Sequence, residues 1–89
     1  MMLAASTSAV SVRVLLFASY ADLLGRDTLD LTLPAGSAVS DVVAAVRALP
    51  GAAALPPQPL CARNLEQVRS DALLADGDEV AILPPMAGG

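Results

Sequence analysis

The 89 residues suffice for one compact domain and are too few for two. The net charge is −4 and all five cations are Arg, scattered at Arg13, Arg26, Arg47, Arg63 and Arg69, so neither a basic stripe nor an aromatic platform is on offer to a nucleic acid. With no His and one Cys, Cys61, the chain excludes Ser-His and Cys-His catalysis, a zinc site of its own and an internal disulfide.

Residues 1–11 (MMLAASTSAVS) lack the basic start and sustained apolar run of a signal peptide and read as a flexible leader. No run of about 20 apolar residues occurs, so no transmembrane helix or membrane partner is expected and the cytoplasm is the default compartment. Residues 12–17 (VRVLLF) predict a strand with Val12, Val14 and Leu16 on one face and Leu15 and Phe17 on the other. Apolar residues on both faces point to an interior strand. Residues 20–24 predict a helical turn ended by Gly25. Residues 28–33 (TLDLTL) alternate strictly, which makes a half-buried strand joined to the first by a hairpin.

Pro34-Ala35-Gly36 breaks that strand, and Ser37 is the expected N-cap of a helix over 37–49. Val39, Val42, Val43, Val46 and Leu49 fall on one stripe of it. Pro50-Gly51 stops the helix, and the proline-rich segment 50–59 is expected to be a stiff connecting loop. Residues 60–63 and 67–69 predict two short strands around a turn at 64–66, and residues 71–74 a single turn. Asp76-Gly77-Asp78 then predicts a tight turn into a last strand, residues 79–83 (EVAIL). Cys61 reads as a small hydrophobe packed in a strand. Asp76, Asp78 and Glu79 read as solvated turn carboxylates, so no metal site is expected.

The order strand, strand, helix, short strands, strand predicts an α+β fold of the β-grasp (ubiquitin-like) class, a mixed sheet with one main helix packed across it. The organisation is a leader over 1–11, a β-grasp domain over 12–83 and an extended tail over 84–89. In this arrangement Leu15, Phe17, Ala81 and Leu83 share the sheet face opposite the helix. An open apolar face of that kind marks a partner site, unless the leader or the 50–59 loop covers it.

The tail reads Pro84-Pro85-Met86-Ala87-Gly88-Gly89. Its prolines favour extension, and its six residues span roughly 20 Å when extended. Gly88 and Gly89 carry no side chain, so they pass through a narrow channel and present an unhindered carboxylate. A carboxylate is a poor electrophile. Transfer of AMP from ATP makes it a mixed anhydride, and attack by a sulfur nucleophile then gives a thiocarboxylate. No side chain of this chain is needed as acid, base or metal ligand.

Two segments carry a family resemblance. Val12-Arg13-Val14-Leu15-Leu16-Phe17-Ala18 resembles the opening strand of the molybdopterin synthase small subunits (MoaD-type sulfur carriers). Residues 76–89 (DGDEVAILPPMAGG) resemble the closing signature of that family, an acidic turn, a strand and Pro-Pro before Gly-Gly. Ala62-Arg63-Asn64 is similar to the usual Val-Asn of its third strand. The resemblance implies that an E1-like adenylyltransferase/sulfurtransferase uses ATP to adenylate Gly89, with no cofactor bound by the chain itself. It implies that Gly89 bears the sulfur as a thiocarboxylate and delivers it to a pyranopterin precursor in the large subunit of the synthase. Pro84, Pro85, Met86, Ala87 and Gly88 are then the threading segment, and Phe17 and Leu83 match apolar positions that contact the large subunit. The chain departs from the family pattern in its leader, its proline-rich loop, Arg63, and Leu16 where an aromatic is common.

Other readings stay open on the residues alone. Sulfur carriers for thiamine or cysteine synthesis or for tRNA thiolation also end in Gly-Gly. A protein modifier would use the same terminus, although this chain has no Lys on which to build branched chains. A non-catalytic ubiquitin-like binding module would make the terminus incidental.

Overall fold

Five strands form: β1 (Ala9–Leu16), β2 (Thr28–Pro34), β3 (Leu60–Arg63), β4 (Glu66–Val68) and β5 (Glu79–Leu83). In the computed structural model, which describes residues 9–84, they form one mixed sheet in the order β2-β1-β5-β3-β4. Among the described residues only β1 and β5 pair in parallel. Two helices, α1 (Ala18–Leu24) and α2 (Val39–Arg47), and a 3₁₀ turn (Ala52–Ala54) complete the fold.

Val10, Val12, Val14 and Leu16 of β1 turn inward beside Val80 and Ile82 of β5, and α2 brings Val39, Val42, Val43 and Val46 into the same core. Val is a mediocre helix former, costing up to about 0.7 kcal/mol relative to Ala. Burying its side chain contributes roughly 1.5–3 kcal/mol. Packing against the sheet therefore outweighs propensity, and α2 exists because the core holds it.

The start of α2 differs from the sequence expectation. Ser37 is buried rather than capping, and Ala38 occupies the N-cap with no side-chain acceptor of its own. The Asp41 carboxylate accepts the Ala38 N–H at 2.8 Å. The next two donors, the N–H groups of Val39 and Ser40, reach Ala72 O at 2.9 Å and Ser70 O at 2.8 Å. A later backbone segment supplies the acceptors that helix starts usually draw from a side chain.

Other expectations change too: α1 starts at Ala18 rather than residue 20, and α2 ends at Arg47 rather than residue 49. β1 begins at Ala9, so the last three residues of the segment read as a leader are strand; the Ser11 N–H donates to Asp76 Oδ1 at 2.7 Å and Ser11 O accepts from Gly77 N at 2.7 Å. Residues 1–8 lie outside the described residues. β4 begins at Glu66 because Asn64 and Leu65 alone make the turn. The segment 50–59 is more than a connector: it contains the 3₁₀ turn and buries Ala52 and Leu55 in the core. Gly51 lets it in, with φ +88 and a position where a Cβ would stand 2.8 Å from Leu23 O of α1.

Candidate functional site

The sheet face opposite α2 is divided. On its polar part stand Arg13, paired with Asp30 at 3.5 Å, together with Ser11, Thr32 and Glu79. On its apolar part Leu15, Phe17, Leu65, Leu83 and the two alanines Ala62 and Ala81 line a shallow hollow of about 230 Å³, with Glu79 at the border.

Strand register makes the hollow. Ala81 in β5 lies between Leu15 of β1 and Ala62 of β3, and Leu83 lies opposite Leu60. Two adjacent small residues form the floor and the larger ones the walls. Phe17 belongs to no strand: it is the extended N-cap of α1 (φ −124, ψ 151), which carries the alternation of β1 one residue further and keeps its ring on this face. The ring is 44% exposed and Leu60 43%, both high for such apolar side chains. Neither the described part of the leader nor the 50–59 segment lines the hollow.

The four residues that parity assigned to this face, Leu15, Phe17, Ala81 and Leu83, all line the one hollow. Ala62 and Leu65 join them, and neither is marked by the sequence pattern. Ala62 follows from alternation once the β3–β5 register is known, but the register is not visible in the sequence. Leu65 sits in a turn, where alternation says nothing.

A polar network braces one end of the face. The Asn64 amide donates to Asp78 Oδ1 at 2.9 Å and accepts from the Glu79 N–H at 2.9 Å, while Asn64 N donates to Glu79 O at 2.8 Å. Asp78 Oδ2 also accepts the Ala75 N–H at 2.8 Å. These bonds, the Ala75 N–H first and the Asn64 amide second, hold the Asp78 carboxyl below its ordinary value. Asp76 thus accepts from the Ser11 N–H of β1, and Asp78 from the Ala75 N–H of its own turn and the Asn64 amide of the neighbouring one. Cys61 lies on the inner face, where burial pushes its thiol up to about 11. That removes it from nucleophilic chemistry near neutral pH.

β5 ends at Leu83 on the wall of the hollow, and Pro84 follows, partly buried. Pro85, Met86, Ala87, Gly88 and Gly89 lie outside the described residues. No helix among the described residues is long and apolar enough to cross a membrane.

The chain belongs to the ThiS family, whose match spans residues 14–89 and so includes both the hollow and the terminal glycines. It is 34% identical over 84 residues to the molybdopterin synthase sulfur carrier subunit of Arabidopsis thaliana, covering 93% of this chain and 88% of that protein. Among solved structures it resembles SAMP1 from Haloferax volcanii, with TM-score 0.76, 27% identity, and coverage of 89% of this chain and 99% of that one. It also shares its fold with a chain from the complex of subunits 1 and 2 of the molybdopterin-converting factor of Helicobacter pylori, with TM-score 0.67, 20% identity, and coverage of 90% and 100%. These neighbours are in keeping with the ubiquitin-like β-grasp expected from the element order.

Proposed function

We propose that this chain is the sulfur-carrier small subunit of a molybdopterin synthase, carrying sulfur as a thiocarboxylate on Gly89. The homology to a molybdopterin synthase sulfur carrier subunit carries the reading. The geometry supplies its physical basis: an apolar docking face whose wall, Leu83, runs directly into the Gly-Gly tail.

The chemistry needs two partners. An E1-like activating enzyme transfers AMP from ATP to the Gly89 carboxylate and releases pyrophosphate. A hydrosulfide equivalent then displaces AMP, leaving the C-terminal thiocarboxylate. In the large subunit its sulfur displaces an oxygen substituent of the pyranopterin precursor to form a C–S bond, and water cleaves the acyl–sulfur bond to restore the carboxylate. A second charged carrier supplies the second sulfur of the dithiolene. The carrier contributes delivery: the docking face fixes its orientation, and the tail brings the reacting atom to the partner's site at high effective concentration.

Intact mass after incubation with the activating enzyme, ATP and a sulfur source tests this reading. Exchange of one oxygen for one sulfur, mapped to Gly89, is expected, and deletion of Gly89 or Gly88→Phe should abolish it. Addition of the treated chain to the large subunit and precursor should then yield a dithiolene product. An unchanged mass, with a control carrier converted in parallel, would refute the carrier reading. Conversion without transfer to the pyranopterin precursor would move the chain to another sulfur pathway.

A further inference from the structure

We propose that Leu65 is a specificity-determining anchor, a rigid apolar prong that enters a pocket on the large subunit beside the channel that takes the tail. This rests on the carrier reading above and extends it to a residue outside the strands.

The turn Asn64-Leu65 joins β3 to β4, with Arg63 paired to Glu66 across it. Both turn residues have positive φ, 50 for Asn64 and 76 for Leu65, the pattern of a two-residue hairpin whose favoured sequence is Asn-Gly. Asn64 suits its place. Leu65 does not, because its Cβ strains a conformation that Gly adopts freely. The side chain is also 90% exposed, so the domain's own packing does little to offset that strain. A strained backbone bearing an exposed large apolar side chain is disfavoured twice in the free protein, and such features collect at binding sites.

Position indicates the occupant. Leu65 lines the same hollow as Phe17 and Leu83, and Leu83 leads straight to the tail. A partner that takes Gly89 binds within a short length of chain from Leu83, and one seated on the hollow beside Leu83 also meets Leu65. Ala18, Asn64 and Leu65 are the non-glycine residues with positive φ among the described residues, and all three stand at this face or directly beside Phe17. The turn is held as well as placed: three hydrogen bonds of 2.8–2.9 Å tie Asn64 to Asp78 and Glu79. The backbone that carries Leu65 is therefore already placed when a partner arrives, which lowers the ordering cost of an anchor.

The test uses the full chain with Leu65→Gly, and Leu65→Asn as a second variant that also tolerates positive φ. Melting temperature, affinity for the large subunit by calorimetry and thiocarboxylate formation by the activating enzyme are measured together. Leu65→Gly should melt at or above the wild-type temperature yet bind the large subunit about tenfold or more weakly, the loss expected of an anchor. A purely structural role cannot move stability and affinity in opposite directions. Wild-type binding with both variants within about threefold of it would overturn the anchor and leave the carrier reading standing. A wild type that is neither converted nor bound would overturn both. Concentration-dependent self-association of the wild type, lost in Leu65→Gly with large-subunit binding unchanged, would assign the prong to a second copy and overturn the proposal.

Discussion

Truncation of Phe17 to Ala separates what the apolar face does for the fold from what it would do for a partner. A Phe side chain presents about 200 Å², and the residue is 44% exposed, so about 90 Å² remains for a partner to cover. At roughly 25 cal/mol per Å² that area contributes about 2 kcal/mol to association, or about 30-fold in affinity. The covered part of the ring, about 110 Å², contributes up to about 3 kcal/mol to folding, an upper bound because the unfolded chain also covers some of it. A domain of this length has a total stability of about 4–13 kcal/mol, so the variant should stay folded at low temperature while melting about 10–20 °C lower. Backbone geometry should persist, since Phe17 caps α1 through its carbonyl, which accepts the Tyr20 N–H at 3.0 Å. Calorimetric titration of the large subunit at 15 °C, with circular dichroism on the same sample, measures both effects. A native spectrum with affinity within about threefold of wild type would refute the assignment of this face as the interface.

Other outcomes follow from individual contacts. Gly51→Ala places a Cβ 2.8 Å from Leu23 O at a φ of +88, and should cost about 2–4 kcal/mol in thermal or urea unfolding. A loss under about 0.5 kcal/mol would show that α1 and the 3₁₀ turn are not rigidly packed. Asp78 has a folded pKa below its ordinary value of 3.8, so its contribution is complete above that value and is lost as pH falls through the folded pKa. Melting temperatures between pH 2 and 5 should therefore fall more steeply for wild type than for Asp78→Asn; equal slopes would contradict the network described for Asn64. Cys61 should resist thiol reagents at pH 8 in the native state and react at once in denaturant, and rapid native labelling would contradict its burial.

What the sequence discloses depends on how local the cause is. β2 is legible from strict alternation, β1 from a short apolar run and β5 from the turn signal before it, and the parity of Leu15, Phe17, Ala81 and Leu83 follows without any knowledge of the pairing. The cap of α2 was hidden for the opposite reason. Ser37 is the right residue type in the right place, yet Ser70 and Ala72, far along the chain, take the hydrogen bonds that a side chain would have taken. The early start of β1 was likewise set by its partners, Pro34 and Leu33 across β2 and the Asp76-Gly77 turn, rather than by residues 9–11 themselves. Leu65 defeats sequence reading most completely. A leucine in a turn looks incidental until its φ, its exposure and its neighbours across the sheet are known together. The terminal glycines were the reverse case, conspicuous in the sequence and outside the described residues of the structure.

The place of β5 in the sheet bears on how the carrier withstands use. It is the middle strand of five, paired in parallel with β1 and antiparallel with β3, and the tail is its direct continuation. A partner that draws on the tail therefore pulls along the axis of a strand bonded on both sides. Hydrogen bonds on the two flanks are loaded in shear together, rather than opened one after another as they would be in a strand peeled from an edge. Forced unfolding is governed by the unfolding barrier rather than by equilibrium stability. A load applied at the C-terminal end of β5 would therefore meet both flanks of the strand together, and the barrier to unfolding from that end would be set by their combined hydrogen bonds.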